Sequence, residues 1–442
     1  MKFFILTFGC RSNQADSAAI RESFLRHGMT ECETPAEADL IIVNTCTVTH
    51  RSDQQARQAI RRVRYGNTAA RVVVTGCYAQ RDAESLAVIP GVRMVVGNAE
   101  KLRIPELLET GKKSLKGQIV RPELNILENA AREFPLPEAM HTGGKTRPLV
   151  KLQDGCDARC AYCVVPKVRG TARSARPEDV LRGIQSLIDH GFQEIVLTGI
   201  NLGAYGRQIK GHMRFIELLK QIAVLPGLGR VRLSSMEPAF FDREIVDMAA
   251  ENPVIARHFH LPLQSGSDRV LRLMRRPYTA ARFRKLIEFI HKKLPDAGLG
   301  TDVLVGFPGE TEQDFEETRR LLEELPLSWL HVFPFSPREG TEAFSMPDQT
   351  PSQILKERAI RVNELARFKN MAFRRRFIGQ VLPAITLAKE EKSGESVVLT
   401  HNYIHARVSD LTVPPNRLVS VRIREVLPES TYAVLVDDLS AP

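Results

Sequence analysis

The 442-residue sequence has no long apolar run. A helix that crosses a membrane needs about 20 consecutive apolar residues, and a secretory signal needs an apolar region followed by a cleavage site. The apolar stretch at residues 3–8 is shorter than either and leads directly to Cys10. We therefore expect a soluble, cytoplasmic protein with no membrane association.

Cysteine is also scarce. The sequence has seven cysteines, an odd number, and most of them lie far apart. This pattern excludes the disulfide framework of a small secreted protein and indicates a reducing compartment.

Negative charge is in deficit, with a formal net charge of +10 and a pI of about 9.3. Such a surplus favours a polyanionic partner, RNA above all, although it could also serve solubility alone. The hydrophobic content of 43% is ordinary for globular proteins, and the length predicts two or three domains.

Three cysteines, Cys156, Cys160 and Cys163, follow one another at C-x3-C-x2-C spacing after a largely apolar run at residues 149–152. A loop this short can direct three thiolates at one inorganic cluster. A [4Fe–4S] cluster usually has four cysteine ligands, so three would leave one iron open to a small molecule. The alternative is zinc, but zinc prefers four ligands, and no second Cys or His pair follows.

Residues 1–110 alternate strand-like and helical patterns. The strands are expected at residues 3–8, 38–44, 71–75 and 93–96, and continuous apolar strands between helices predict a parallel sheet covered on both faces. Cys32 lies in a helix-to-strand connection and is expected to be a bystander.

Three other cysteines follow three of these strands: Cys10, Cys46 and Cys77. Because ligands bind outside the carboxyl ends of parallel strands, we expect these thiols to converge on a second cluster. Gly9 and Gly76 precede two of them and would permit close backbone approach. The alternative is that they are ordinary buried core cysteines.

Residues 111–147 lose periodicity and are expected to form a linker. Residues 148–375 resume the alternation as about six βα units, which predicts an open (β/α)6 barrel with its active groups at the strand ends. Residues 376–442 carry short, roughly alternating runs, which predict a small antiparallel β-barrel of OB-like kind. The expected fold class is therefore α/β with a C-terminal β-barrel.

The loop at residues 154–163, with Tyr162 before its last cysteine, resembles the signature of the radical S-adenosylmethionine (SAM) enzymes. Residues 7–10 with Asn13, residues 44–49 and residues 74–80 resemble the N-terminal domain of the methylthiotransferases in that superfamily. The resemblance implies two [4Fe–4S] clusters. One would be held by Cys156, Cys160 and Cys163 and bind SAM, and the auxiliary one would be held by Cys10, Cys46 and Cys77.

The resemblance also places SAM contacts at the barrel strand ends. Residues 260–267 resemble the family's H-x-P-x-Q-S-G-S stretch, and residues 302–310 resemble its segment against the SAM adenine. Together with Tyr162, the implied cofactor-binding residues are Thr198, Gly199, Asn201, Glu237, His260, Gln264, Ser265, Asp302 and Gly306.

The C-terminal segment resembles the TRAM domain, an RNA-binding module of tRNA-modifying enzymes. Residues 44–50, 197–206 and 232–238 resemble the branch that acts on N6-threonylcarbamoyladenosine at position 37 of tRNA. The branches acting on isopentenyladenosine in tRNA and on a ribosomal protein are the alternatives. A non-catalytic RNA-binding redox sensor is the alternative from another class.

The mechanism implied by this resemblance begins with a one-electron donor, such as a flavodoxin or ferredoxin system. Reductive cleavage of SAM would give a 5′-deoxyadenosyl radical that abstracts hydrogen from C2 of the adenine. The auxiliary cluster would then present a methylated sulfur to that carbon. The cofactors carry this chemistry, so no Ser–His–Asp set or carboxylate pair is needed.

Two further features suggest RNA contacts. Arg159, Lys167, Arg169, Arg173 and Arg176 form a basic run around the cluster loop. This run is either an anion-binding rim or a solvated surface. Residues 401–403 form a loop that either stacks on a base or is an ordinary hairpin tip.

Overall fold

The structure is a computed structural model that describes residues 1–110, 118–120, 146–207, 213–388, 396–409 and 413–438. Its N-terminal part is a six-stranded sheet in the order β2-β1-β3-β4-β5-β6, and every pairing is parallel. The elements are β1 (Lys2–Thr7), α1 (Arg11–Arg26), β2 (Thr30–Glu31), β3 (Leu40–Thr45), α2 (His50–Gly66), β4 (Arg71–Gly76), α3 (Cys77–Arg81), α4 (Ala83–Ala87), β5 (Val92–Val96), α5 (Ile104–Thr110) and β6 (Gln118–Val120).

The predicted parallel sheet is confirmed. Strand β3 is buried at every position, as its unbroken apolar run requires. The two edge strands, β2 and β6, were not predicted because they are two and three residues long. Strand β6 also carries the sheet past the predicted boundary at residue 110. The rest of the predicted linker, apart from residues 146 and 147, lies outside the described residues.

The central part contains six parallel strands in two sheets, β7-β10-β11 and β12-β13-β14. A parallel bridge between Val231 and Ile255 joins them into one arc, so the predicted open barrel is confirmed. Its elements are β7 (Leu149–Lys151), β8 (Gln153–Asp154), α6 (Val165–Arg169), β9 (Arg173–Ser174), α7 (Pro177–Asp189), β10 (Glu194–Thr198), α8 (Phe215–Ile222), β11 (Arg230–Leu233), α9 (Glu244–Glu251), β12 (His258–His260), α10 (Asp268–Leu273), α11 (Ala280–Lys293), β13 (Gly298–Val305), α12 (Glu312–Glu324), β14 (Trp329–Pro334), α13 (Glu342–Ser345) and α14 (Ser352–Arg375).

The C-terminal part is a closed five-stranded barrel in the order β15-β16-β17-β19-β18, which confirms the prediction. All its pairings are antiparallel except that of β17 with β19. The strands are β15 (Val381–Thr386), β16 (Ser396–Thr400), β17 (His405–Val408), β18 (Leu418–Val426) and β19 (Thr431–Asp438). Within the described residues, no helix is long and apolar enough to cross a membrane.

The loop at residues 401–403 contacts the central barrel. Asn402 is fully buried and donates to the Asp296 carbonyl at 3.0 Å. The Tyr403 ring stacks on His258 with 4.0 Å between ring centroids, and its hydroxyl accepts a 2.8 Å hydrogen bond from Arg11 of α1. This loop therefore joins the three parts of the chain. His401 and Asn402 are buried, so contact with an RNA base stays a prediction for the half-buried Tyr403 alone.

A buried ion-pair cluster joins the N-terminal sheet to the central barrel. Asp16 of α1 pairs with Lys101, Lys151 and Arg169, the last at 3.0 Å, and Arg169 also pairs with Asp154 at 2.8 Å. Burial raises the pKa of Asp16, but the three cations outweigh burial and hold that pKa well below its usual range. Asp16 therefore remains charged at the interface.

Replacing Asp16 with alanine is expected to lower the free energy of unfolding by about 3–5 kcal/mol, because it leaves buried cations without their partner. Urea unfolding followed by circular dichroism measures this change. The control is Asp189→Ala, since exposed Asp189 accepts a hydrogen bond from Gln185 and has no ion-pair partner among the residues that the structure describes. It should shift stability by no more than about 0.5 kcal/mol. Equal effects of the two variants would contradict a structural role for the cluster.

Candidate active site

The central cysteines lie on a loop whose base is closed by the antiparallel pair β8 and β9. Burial and the neighbouring Cys160 thiol raise the pKa of the Cys163 thiol to about 12. The Ala158 backbone N–H donates to Cys156 Sγ at 3.4 Å, and Arg276 Nη1 donates to Cys160 Sγ at 3.2 Å. Three neighbouring thiols can hold an iron–sulfur cluster, and N–H donors at cysteine sulfurs help to set the reduction potential of such a cluster. The central trio therefore fits an iron–sulfur cluster.

The N-terminal cysteines converge as predicted. Burial, and after it the Cys77 and Cys10 thiols, raise the pKa of the Cys46 thiol to about 12. Gly9 has a φ of +95°, and a Cβ there would lie 2.5 Å from Cys46 Cβ and 2.7 Å from its Sγ. Only glycine therefore lets the chain before Cys10 approach Cys46 this closely.

This second trio also fits a metal cluster. Burial raises the pKa of both Cys46 and Cys77, and the neighbouring Cys10 thiol contributes to both shifts. Free thiolates are therefore unfavourable at these two positions, and metal binding compensates thiolate charge. Asn98 Nδ2 lies 3.7 Å from Cys77 Sγ, and Asn13 Oδ1 lies 3.8 Å from the same sulfur. Cys32 is apart from the trio, with its thiol donating to the Phe3 and Thr34 carbonyls.

A cavity of about 300 Å³ adjoins the central cysteines. We call it the cofactor cavity. Two of the predicted SAM contacts line it, Asn201 and Glu237, beside Cys156 and Cys160. Its full lining is Gln153, Cys156, Asp157, Ala158, Arg159, Cys160, Ala172, Asn201, Ala204, Arg207, Glu237, Phe240, Arg275, Arg276 and Pro277.

The polar groups of the cofactor cavity fit SAM. Asn201 Oδ1 and Glu237 Oε1 are buried and have no hydrogen-bond partner within the described residues. Both are acceptors, and the amino group and ribose hydroxyls of SAM are donors. Burial raises the pKa of Glu237, while Arg276 pairs with its other oxygen. Arg276 therefore fixes the carboxylate with one oxygen free.

A second cavity, of about 200 Å³, lies between the N-terminal and central parts. We call it the inter-domain cavity. Val48 and Thr49, just after Cys46, line one side, and Cys163 lines the other. Cys77 packs against Val164, which follows Cys163, so the two trios meet here. The other lining residues are Tyr162, Val164, Val165, Gln264, Asp302, Leu304, Phe333, Pro334, Phe335 and Ser336.

Asp302 is at the centre of a polar group in the wall of this cavity. Its Oδ1 lies 3.1 Å from His260 Nε2 and 3.2 Å from His331 Nδ1, and Ser235 Oγ lies 2.7 Å from His260 Nδ1. Burial raises the pKa of Asp302, but the two imidazoles outweigh burial and hold it below its usual range. The atoms of His260, Asp302 and His331 that could bind a metal ion lie within 4.8 Å of one another. The contacts of the two imidazoles with Asp302 already explain this spacing.

Five predicted cofactor residues line neither cavity: Thr198, Gly199, His260, Ser265 and Gly306. His260 lies in the polar group around Asp302. Thr198 and Gly199 lie at the end of β10, where the Thr198 carbonyl accepts from Leu152 N–H. Ser265 is fully buried and lies 3.2 Å from Thr318 Oγ1. The Gly306 N–H donates to the Glu310 carboxylate at 2.6 Å. These contacts hold the strand-end turns that present the lining residues.

The basic run around the cluster loop is not a continuous rim. Arg169 is 4% exposed and lies in the buried ion-pair cluster, and Arg173 pairs with Asp154 at 3.3 Å. Arg159 lines the cofactor cavity, and Lys167 and Arg176 are exposed. The predicted anion-binding rim is therefore wrong for Arg169, whereas Arg173 is half-buried beside Asp154.

Sequence reasoning missed Arg276, Gln153 and His331. Gln153 Oε1 accepts from the Asn201 backbone N–H at 2.8 Å, and Arg276 contacts both Glu237 and Cys160. Neither has a local spacing signal, because each contacts residues far away in the chain. His331 could have been found, since it lies on the strand next to Asp302.

Two sequence families match the chain. Residues 2–97 match the family described as uncharacterized protein family UPF0004, and residues 150–322 match the radical SAM superfamily. The chain also resembles a solved radical S-adenosylmethionine methyltransferase, TsrM from Kitasatospora setae, with a TM-score of 0.55 at 16% identity over 78% of this chain and 74% of that one. That likeness concerns the fold alone.

Two relatives from Aquifex aeolicus (strain VF5) match over nearly the whole chain. The chain is 38% identical to its threonylcarbamoyladenosine tRNA methylthiotransferase MtaB, over 91% of this chain and 96% of that protein. It is 35% identical to its tRNA-2-methylthio-N(6)-dimethylallyladenosine synthase, over 90% of each. The chain therefore belongs to the radical SAM methylthiotransferase family, whose enzymes use SAM and [4Fe–4S] clusters.

Proposed function

We propose that the protein methylthiolates C2 of N6-threonylcarbamoyladenosine at position 37 of tRNA. The inter-domain cavity carries this proposal, because Cys163 of one trio and the segment after Cys46 of the other bound the same space. A base in this cavity lies between both proposed clusters. Position 37 is in a single-stranded loop, from which a base can be splayed out.

Each trio has its own role in this proposal. Cys156, Cys160 and Cys163 hold the cluster at the cofactor cavity, and Cys10, Cys46 and Cys77 hold the auxiliary one. When bound, the clusters supply the electron for SAM cleavage and the sulfur for insertion. The electron comes from a flavodoxin or ferredoxin system, and the substrate places the protein in the cytoplasm.

The chain's own groups bind and orient the reactants. Asn201 Oδ1 and Glu237 Oε1 accept hydrogen bonds from SAM, and Arg276 holds Glu237 in place. In the inter-domain cavity, apolar Leu304 and Phe333 exclude water from the base. This exclusion protects a reactive carbon from competing reactions.

The cavity also has groups that suit the threonylcarbamoyl substituent. Thr49, Gln264, Asp302 and Ser336 line it, and the substituent offers hydroxyl, carboxylate and urea groups. A site that hydrogen-bonds its substrate rejects an analogue that leaves its buried polar groups unpaired. The apolar isopentenyl group is such an analogue. This chain is also slightly more identical in sequence to MtaB than to the dimethylallyladenosine synthase of the same organism, which agrees with a preference for threonylcarbamoyladenosine.

Purified, cluster-loaded protein tests the substrate. Given reductant and SAM, it should convert threonylcarbamoyladenosine in tRNA to the 2-methylthio form, measured by mass spectrometry of digested nucleosides. On tRNA carrying isopentenyladenosine, the rate should be at least about 100-fold lower, since a hydrogen-bonding site discriminates strongly. Preferred action on isopentenyladenosine, or on a ribosomal protein, would contradict the proposal.

A further inference from the structure

Helix α2 has an unbalanced charge. It contains five arginines and one acidic residue, Asp53. Asp53 is 1% exposed, and its carboxylate pairs with Arg81 at 2.9 Å and with Arg338 at 2.6 Å. The helix therefore presents no acidic side chain to solvent.

The arginines of α2 fall into two groups. Arg57 donates to the Tyr78 hydroxyl, and Arg64 donates to the Thr68 carbonyl, so both serve the fold. Arg51, Arg61 and Arg62 are exposed and have no hydrogen-bond or ion-pair partner in the described part of the chain. These three guanidinium groups are free for a ligand.

The exposed residues of α2 form one stripe. They recur every three or four positions, which places them on a single helix face, and the stripe is about 21 Å long. Tyr65, at its far end, is 91% exposed. The α2 stripe consists of Arg51, Gln54, Gln55, Gln58, Arg61, Arg62 and Tyr65.

Helix α11 also has more basic than acidic residues, but some of its cations are paired with carboxylates. On α11, Arg284 lies 3.8 Å from Glu288, and Lys293 pairs with Asp247 at 2.9 Å. Solubility alone would spread the +10 charge in that manner. Clustered cations without counter-charges are instead the footprint of a phosphate-rich partner.

The stripe starts at the inter-domain cavity. Val48 and Thr49 line that cavity and immediately precede α2. The His50 backbone N–H donates to Ser336 Oγ at 3.1 Å, and Ser336 lines the same cavity. Together with the pair between Asp53 and Arg338, this bond fixes the direction of the stripe relative to the base-binding space.

We propose that the α2 stripe binds the sugar–phosphate backbone of the substrate tRNA beside the modified nucleotide. This inference rests on the proposed function, since it takes tRNA as the substrate. Arginine and glutamine donate to phosphate oxygens, and an exposed tyrosine offers a stacking surface. In the C-terminal loop, His401 and Asn402 are buried and Tyr403 is half-buried, whereas the α2 stripe is exposed along its length and continues directly from the cavity.

The test is the variant Arg61→Glu/Arg62→Glu in the full, cluster-loaded chain, with tRNA affinity measured by fluorescence anisotropy over a salt series. Loss of two phosphate contacts should raise the tRNA Kd about tenfold. It should also reduce the slope of log K against log salt by about 2. The milder variant Arg61→Gln/Arg62→Gln keeps helix-forming residues and should lie between this variant and wild type.

The matched control is Arg282→Glu/Lys285→Glu, the same charge change on exposed positions of α11, which should bind tRNA as wild type does. Iron content near wild type confirms that each variant is folded. If the α2 variants and the control bind tRNA equally, the inference is overturned while the proposed function stands. If wild-type protein binds no tRNA, the proposed function itself fails.

Discussion

Replacing Cys156, Cys160 and Cys163 together with alanine is expected to halve the bound iron and abolish SAM cleavage. Two [4Fe–4S] clusters give about eight irons per chain, and the variant should keep about four. The physical reason is that the two trios lie on separate elements, one on a loop closed by β8 and β9 and the other at the ends of β1, β3 and β4. Iron analysis of anaerobically reconstituted protein and chromatography of 5′-deoxyadenosine measure both effects.

The control for this experiment is Cys32→Ala. Cys32 is buried like Cys46 and Cys77, but its thiol donates to two backbone carbonyls and lies apart from the trio. This variant should keep about eight irons and full SAM cleavage. Loss of all iron from the triple variant would show that the chain has one shared metal site and not two.

Replacing Cys77 with alanine should separate SAM cleavage from product formation. Cys77 belongs to the N-terminal trio and does not touch the cofactor cavity, where Asn201, Glu237 and Arg276 remain in place. We expect 5′-deoxyadenosine to form at close to the wild-type rate, with bound iron reduced to about four. Methylthiolated nucleoside should be undetectable, because the sulfur-supplying side of the inter-domain cavity is lost.

Cys160→Ala is the complementary variant and should abolish both activities. The two readouts, 5′-deoxyadenosine and 2-methylthio nucleoside, are measured in the same reaction. Methylthiolated product from Cys77→Ala would remove the N-terminal trio from the mechanism.

The convergence of Cys10, Cys46 and Cys77 followed from the sequence because one rule was sufficient. Buried apolar strands between helices must be parallel, and parallel strands end at one edge of the sheet. The barrel strands and their long helices followed in the same way, from strong periodicity. Short elements such as β2, β6 and α6 carry too few residues for a pattern.

The predictions that were wrong or missing concerned residues whose environment depends on contacts between distant parts of the chain. Arg169 looked like a surface cation, but its burial depends on Asp16 of α1 packing against the barrel. The loop around Tyr403 looked exposed, but it docks on His258. Arg276 has no sequence signal because its partners, Glu237 and Cys160, are brought together only by the barrel.

Ser265 and Gly306 show a different limit. Both belong to segments that resemble the family's SAM-binding stretches, and the structure gives them contacts within their own turns. A motif marks a whole segment, whereas only some of its side chains line a cavity; Gln264 and Asp302 line the inter-domain cavity and not the cofactor cavity. Burial and side-chain direction determine which side chains of a motif line a cavity, and both depend on the neighbouring strands.

The most direct test of the central claim is mass spectrometry of tRNA nucleosides from a strain that lacks this gene. We expect 2-methylthio-N6-threonylcarbamoyladenosine to be absent and N6-threonylcarbamoyladenosine to accumulate, with 2-methylthio-isopentenyladenosine unchanged. The wild-type gene should restore the missing nucleoside, and the Cys77→Ala gene should not. Persistence of 2-methylthio-N6-threonylcarbamoyladenosine at its normal level in the deletion strain would contradict the account.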